Sequence, residues 1–131
     1  MSIQKRWFEE VWNQGREQTI DELLDYDVKG HGLVGADGIE VNGREAFRVF
    51  WKAFRSAFSD IHIDVEDTVT EGDLGVARFV VTGTHTGEGI GVPPKGRPVM
   101  FTGMTMVRVK DGRIVESWNN IDFAAMFRQI G

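Results

Sequence analysis

Two hydrophobic rhythms divide this chain. Up to about residue 58 the apolar side chains recur every three or four positions, and from Ile61 onward they alternate. Ile3, Trp7, Val11 and Trp12 share one face of a helix over about residues 3–13, which Asn13-Gln14-Gly15 ends. Thr19 and Glu22 stand at capping-box spacing and predict a short helix through Leu24. Asp27 to Leu33 predicts a short strand, and Asn42-Gly43 a turn. Phe47, Phe50, Trp51, Phe54 and Phe58 form the stripe of a long helix over about residues 43–57.

The period then changes to two. Ile61, Ile63 and Val65 alternate with His62, Asp64 and Glu66, the pattern of a strand with one wet face. Glu71-Gly72-Asp73 turns the chain into strands over about 74–85, 98–110 and 113–122. Asp111-Gly112 between the last two is a hairpin signal, because a type I′ turn needs positive φ at both central residues. Gly87 to Pro94 forms a connecting loop, and Phe123 to Ile130 a closing helix. Helices first and strands afterwards predict an α+β fold, in one domain over residues 1–131.

The strands over 74–85 and 98–110 are apolar on both faces. Val76 and Val80 oppose Ala77, Phe79 and Val81; Met100, Met104 and Met106 oppose Val99, Phe101, Val107 and Val109. A small antiparallel sheet normally keeps one wet face, so the second apolar face needs a cover. A second copy of the chain is the simplest cover, and a homodimer is expected.

Composition narrows the function classes. A net charge of -5 argues against a nucleic-acid partner. With no cysteine, a disulfide scaffold, a thiolate zinc site and a cysteine nucleophile are all excluded. The three histidines have no ligand-like spacing, so no metal site is expected. No apolar run reaches the roughly 20 residues that cross a membrane, and the N-terminus leads directly into an amphipathic pattern. A cytoplasmic protein with no membrane partner is the expectation.

Several short motifs then add up. They are Trp12-Asn13-Gln14-Gly15, Phe58-Ser59-Asp60, Gly83-Thr84-His85-Thr86-Gly87, Gly91-Val92-Pro93-Pro94-Lys95-Gly96-Arg97, Lys110-Asp111-Gly112-Arg113-Ile114 and Glu116-Ser117-Trp118-Asn119-Asn120-Ile121-Asp122. In this order, over nearly the whole chain, they resemble the SnoaL-like polyketide cyclases of the NTF2-like superfamily. The resemblance implies a cone: a curved, mostly antiparallel sheet wrapped on a long helix around an internal pocket. It also implies a cofactor-free aldol-type ring closure on a small apolar, polyketide-like ligand, with Asp122 as general acid/base.

Strand alternation puts Ile114, Glu116, Trp118, Asn120 and Asp122 on one face. If that face lines the pocket, Trp118 is an aromatic wall, Asn120 a hydrogen-bonding group and Asp122 a carboxylate whose pKa desolvation raises. Asp122 also precedes the closing helix, where aspartate is a favoured N-cap. His85 could share or orient a proton, and Arg78, in an apolar strand, needs a carboxylate such as Asp122 or Glu116. Alternation aims Arg78 and His85 at opposite faces. His31 is expected near the pocket mouth, and Phe50, Phe54, Met104 and Met106 are expected to line the pocket or fill the core. A ligand-binding module without catalysis fits the same pattern. An epoxide-hydrolase-like reaction would need Arg-x-Asp, and the matching stretch here reads Arg78-Phe79-Val80.

Overall fold

The computed structural model describes residues 1–131. Helix α1 (Ile3–Trp7) runs into a π-helical turn, Phe8–Asn13, closed by the Gln14 amide bonding to the Glu9 carbonyl. Helix α2 (Glu17–Leu23) and strand β1 (Leu24–His31) follow, then the long helix α3 (Arg44–Ala57). Strands β2 (His62–Glu71), β3 (Leu74–Thr84), β4 (Pro98–Lys110) and β5 (Arg113–Ile121) complete the sheet, and helix α4 (Phe123–Ile130) closes the chain.

The predicted capping box is not formed. Arg16 is the N-cap of α2, Thr19 is buried inside the helix, and its hydroxyl donates to Glu10 at 2.7 Å. Glu22 instead takes the guanidinium groups of Arg6 and Arg16, at 2.6 and 3.0 Å. The first strand also begins earlier than the sequence pattern predicts, and ends at His31.

The sheet order is β1-β5-β4-β3-β2, with β1 parallel to β5 and every other pair antiparallel. Asp111 and Gly112 adopt φ of 52° and 77°, as the hairpin requires. One face of the sheet is covered by the helices. Ala77, Phe79, Val81, Phe101 and Val107 from that face join Trp7, Phe8, Trp12, Phe47, Trp51 and Phe54 in one continuous core. Two polar contacts fix the helical layer: Trp51 Nε1 donates to the Val11 carbonyl at 3.0 Å, and Asn13 exchanges two hydrogen bonds with the Ile63 backbone. Asn13 thereby satisfies an edge strand and anchors the end of the first helix in one step.

β5 carries the decisive irregularity. Ile114 pairs with Val109, but Glu116 pairs with Arg108, so Val115 is an extra residue and the alternation reverses. Ile114 points inward, and beyond the bulge the inward side chains are Ser117, Asn119 and Ile121, opposite Val107, Thr105 and Gly103. A second bulge at Glu66 does the same to β2, between the Val65–Phe79 and Asp67–Arg78 pairs.

Candidate functional site

A cavity of about 710 Å³ opens beside α3. Its walls come from four segments: the 32–41 hairpin, the outward stripe of α3, the Gly89-Ile90 stretch, and α4. Thirteen of its eighteen lining residues are hydrophobic, so desolvated apolar surface is what it offers a ligand. On α3, Ala46, Val49, Phe50, Ala53 and Phe54 recur at helical spacing and face the cavity, beside the Phe47-Trp51-Phe54 stripe that faces the core. Gly89 approaches so near to Ala53 that a Cβ would collide with the Ala53 carbonyl oxygen, so glycine is what lets this loop wall lie flat on the helix.

The hairpin is held by Val41 N–H to Leu33 O at 2.8 Å and Gly35 N–H to Ile39 O at 2.9 Å. Deeper in, Phe50, Phe54 and Phe123 also line a much smaller void of about 50 Å³ between α1, α3 and the sheet. The polar groups there are Thr105 and Asn119. Thr105 donates to the Asn119 side-chain oxygen at 3.1 Å, and the Asn119 amide donates to the His31 carbonyl at 3.0 Å and to the Ser117 hydroxyl at 3.3 Å.

Of the residues expected to line the pocket, Phe50 and Phe54 do so. Trp118, Asn120, Met104 and Met106 do not: the bulge at Val115 turns Trp118 and Asn120 to the outer face, where they pair with Met106 and Met104. His31 lies on that outer face as well. Its ring stacks on Trp118 at 5.5 Å, and its Nε2 lies 2.8 Å from a Glu116 carboxylate oxygen.

Asp122 is exposed and is the N-cap of α4, accepting a hydrogen bond from Ala125 N at 3.0 Å. Its side of the sheet is a shallow outer groove shared with Glu66, Arg78, Thr102, Met104 and Asn120. Arg78 is in that groove but is paired with Asp67 and Glu66 across the β2 bulge, rather than with Asp122 or Glu116. Hydrogen bonding to Asp67, helped by the charges of Asp67 and Glu66, pushes the Arg78 guanidinium above its ordinary pKa. His85 points the opposite way, as alternation requires. It is fully buried against Phe58, ring centroids 5.4 Å apart, with neither ring nitrogen hydrogen-bonded, and it lines neither the cavity nor the groove. Of the three groups read from the sequence as an acid/base set, Asp122 and Arg78 share the outer groove without pairing, and His85 lies apart from both.

The other cavity-lining residues were missed by the sequence reading, among them the hairpin's Asp37, Ile39 and Glu40, and Val49, Ile90, Met126 and Phe127. A second apolar stripe on α3 (Ala46, Val49, Ala53) was the available signal; nothing in the hairpin's composition marks it as a wall.

The sequence model of the family described as SnoaL-like polyketide cyclase matches residues 3–130. The chain is 25% identical to aklanonic acid methyl ester cyclase from Streptomyces peucetius, over 93% of this chain and 84% of that one. It is 29% identical to nogalonic acid methyl ester cyclase from Streptomyces nogalater, over 92% and 90%. Among solved structures, IdmH from Streptomyces antibioticus aligns with a TM-score of 0.81 and 35% identity, covering 97% of this chain and 94% of that one.

Proposed function

From the premise that the chain belongs to the SnoaL-like polyketide cyclase family, we propose that it binds a small apolar ligand bearing carbonyl groups and closes a ring in it by an aldol-type step. The observation that carries this reading is the apolar cavity of about 710 Å³ between α3, the hairpin and α4. Phe50 and Phe54, stacked with ring centroids 5.6 Å apart, contribute aromatic surface to its wall. Ring closure of this kind moves one proton from a carbon next to a carbonyl to a base; the resulting enolate carbon attacks the second carbonyl, and the new alkoxide takes a proton back. Asp122, which lies in the outer groove and precedes the cavity-lining Phe123, is the carboxylate this reading assigns to the proton, and it must turn from that groove toward the cavity to act. Freeing it requires release of its cap on Ala125 N.

Aklanonic acid methyl ester, named for one relative, is a suitable probe. Asparagine caps a helix as well as aspartate does but cannot carry the proton. Asp122→Asn is therefore expected to keep the fold and lower turnover by about 100-fold or more, whereas Asp122→Ala also loses about 0.5–2 kcal/mol of stability. Unchanged turnover in Asp122→Asn leaves the residue with capping alone.

A second reading, ligand binding without catalysis, is favoured by one observation. The polar groups of the inner void, Thr105 and Asn119, do not titrate and already satisfy one another. Binding of the ester with no product formed by the unmodified protein would select it. Either reading includes a homodimer through the outer sheet face, supported by Met100 at 63% and Met104 at 49% exposure.

A further inference from the structure

The charge of the cavity is as one-sided as its surface is apolar. Among its eighteen lining residues, two carry carboxyl groups, Asp37 and Glu40, and none is lysine, arginine or histidine. Both carboxylates sit on the hairpin that forms one wall, and neither is in an ion pair. Asp37 accepts from Ile39 N at 3.0 Å, as a turn-closing group; Glu40 accepts a long hydrogen bond from Gly32 N at 3.4 Å. Around them the rim is apolar and exposed, with Val34, Ile39, Val49 and Phe127 all more than 45% accessible. A ligand entering here strips water from that rim and lowers the dielectric between its own charge and the two carboxylates.

Resting on the binding reading above, we infer that Asp37 and Glu40 set the charge specificity of this cavity, admitting neutral apolar ligands and rejecting the same skeletons as carboxylate anions. An anionic ligand would add a third negative charge to a wall that supplies no counter-ion, and a buried charge without a partner is costly. A neutral ester displaces the same rim water but brings no charge for the two hairpin carboxylates to repel. The protein's net charge of -5 acts in the same direction at longer range. Selection by repulsion of this kind needs no new contact to the favoured ligand.

The test uses one planar skeleton in two charge states: anthraquinone-2-carboxylic acid, anionic at pH 7.5, and its methyl ester. Binding of each is followed by quenching of tryptophan fluorescence at low salt, in the unmodified protein, in Glu40→Gln, and in Asp37→Asn/Glu40→Gln. The Asp37→Asn change keeps a side-chain oxygen to accept from Ile39 N, so the hairpin turn is retained, and circular dichroism checks the fold. The ester-to-acid affinity ratio is expected to exceed about tenfold in the unmodified protein. It should fall by about three- to tenfold in the double variant, with Glu40→Gln between. The readout is the change in ratio, so the greater intrinsic hydrophobicity of the ester cancels. A ratio that is the same in all three proteins, while both probes bind, overturns the charge filter and leaves the binding reading standing. Failure of the ester to bind the unmodified protein overturns the binding reading, and the filter with it; an acid that binds the double variant but not the unmodified protein supports the filter.

Discussion

The inward and outward faces of β3 and β4 are built on the same backbone ladder, yet they lead different lives. Inward, Ala77, Phe79 and Val81 face Thr105, Gly103 and Phe101, and every one of them is buried beneath the helices. One residue along, Arg78, Val80, Met104 and Met106 point outward, and Met104 is 49% exposed. Both sets are largely apolar, so hydrophobicity does not distinguish them. The difference lies in what this chain can lay over each face: its helices cover one, and nothing of its own covers the other. An apolar face is thus a demand for a cover, and the source of the cover is a separate question.

The largest expected effect tests whether that distinction is energetic. Phe79 is 1% exposed and packs on Phe8 with ring centroids 4.6 Å apart. Phe79→Ala is expected to cost about 3–5 kcal/mol in urea unfolding, the range for a truncated core aromatic. Met104→Ala should cost less than about 1 kcal/mol in dilute protein. If the outer face is a homodimer interface, the Met104→Ala penalty grows with protein concentration, by mass action, while the Phe79→Ala penalty does not. A large Met104→Ala penalty at every concentration would show that the outer face belongs to the core of the single chain and would break the comparison.

A smaller effect sharpens it at Gly103. This glycine faces inward on β4, and a Cβ there would lie 2.8 Å from the Phe79 ring and 3.0 Å from Ile121. Gly103→Ala is therefore expected to cost about 1–3 kcal/mol through overpacking, unless Phe79 shifts into the small void next to it. Such a shift would reduce the void and keep the cost at the low end of that range. Stability unchanged from the parent protein would show that the inner face is looser than its burial implies.

The sequence made the elements legible because each has a local cause. Asp111-Gly112 demands positive φ, and α4 opens on a capping aspartate, as its position implies. The side of the sheet taken by Trp118 and Asn120 was not legible, because it depends on one extra residue. Val115 fits an apolar strand whether or not it is bulged, and its single insertion moves every later side chain of β5 to the other face. Asp122 shows the same limit. Its capping role is local and readable, whereas the side of the sheet it faces is fixed by a bulge seven residues earlier. The hairpin carboxylates were unreadable for a different reason: residues 32–41 become a cavity wall only through their approach to α3 and α4, which lie elsewhere in the sequence.

The smallest expected effect concerns the place where β3 crosses from one environment to the other. Thr84 ends the strand, and the next residue, His85, is fully buried. Asp60, after α3, pins this point by accepting from Thr84 N and from the Thr84 hydroxyl, both at 2.8 Å. The backbone bond and then the hydroxyl bond hold the Asp60 carboxyl below its ordinary pKa. A carboxylate whose folded pKa is lowered binds its proton more readily in the unfolded chain. Its contribution is therefore complete above the unfolded value, near 4, and is lost as pH falls through the lower folded value. Because Asp60 is exposed, that contribution is small. Asp60→Asn should lower the urea midpoint slightly at pH 7, and the gap from the parent protein should close between about pH 5 and pH 3. A gap of constant size across that range would mean that the ionised carboxylate is not what holds Thr84, and that the burial of His85 fixes the strand end without it.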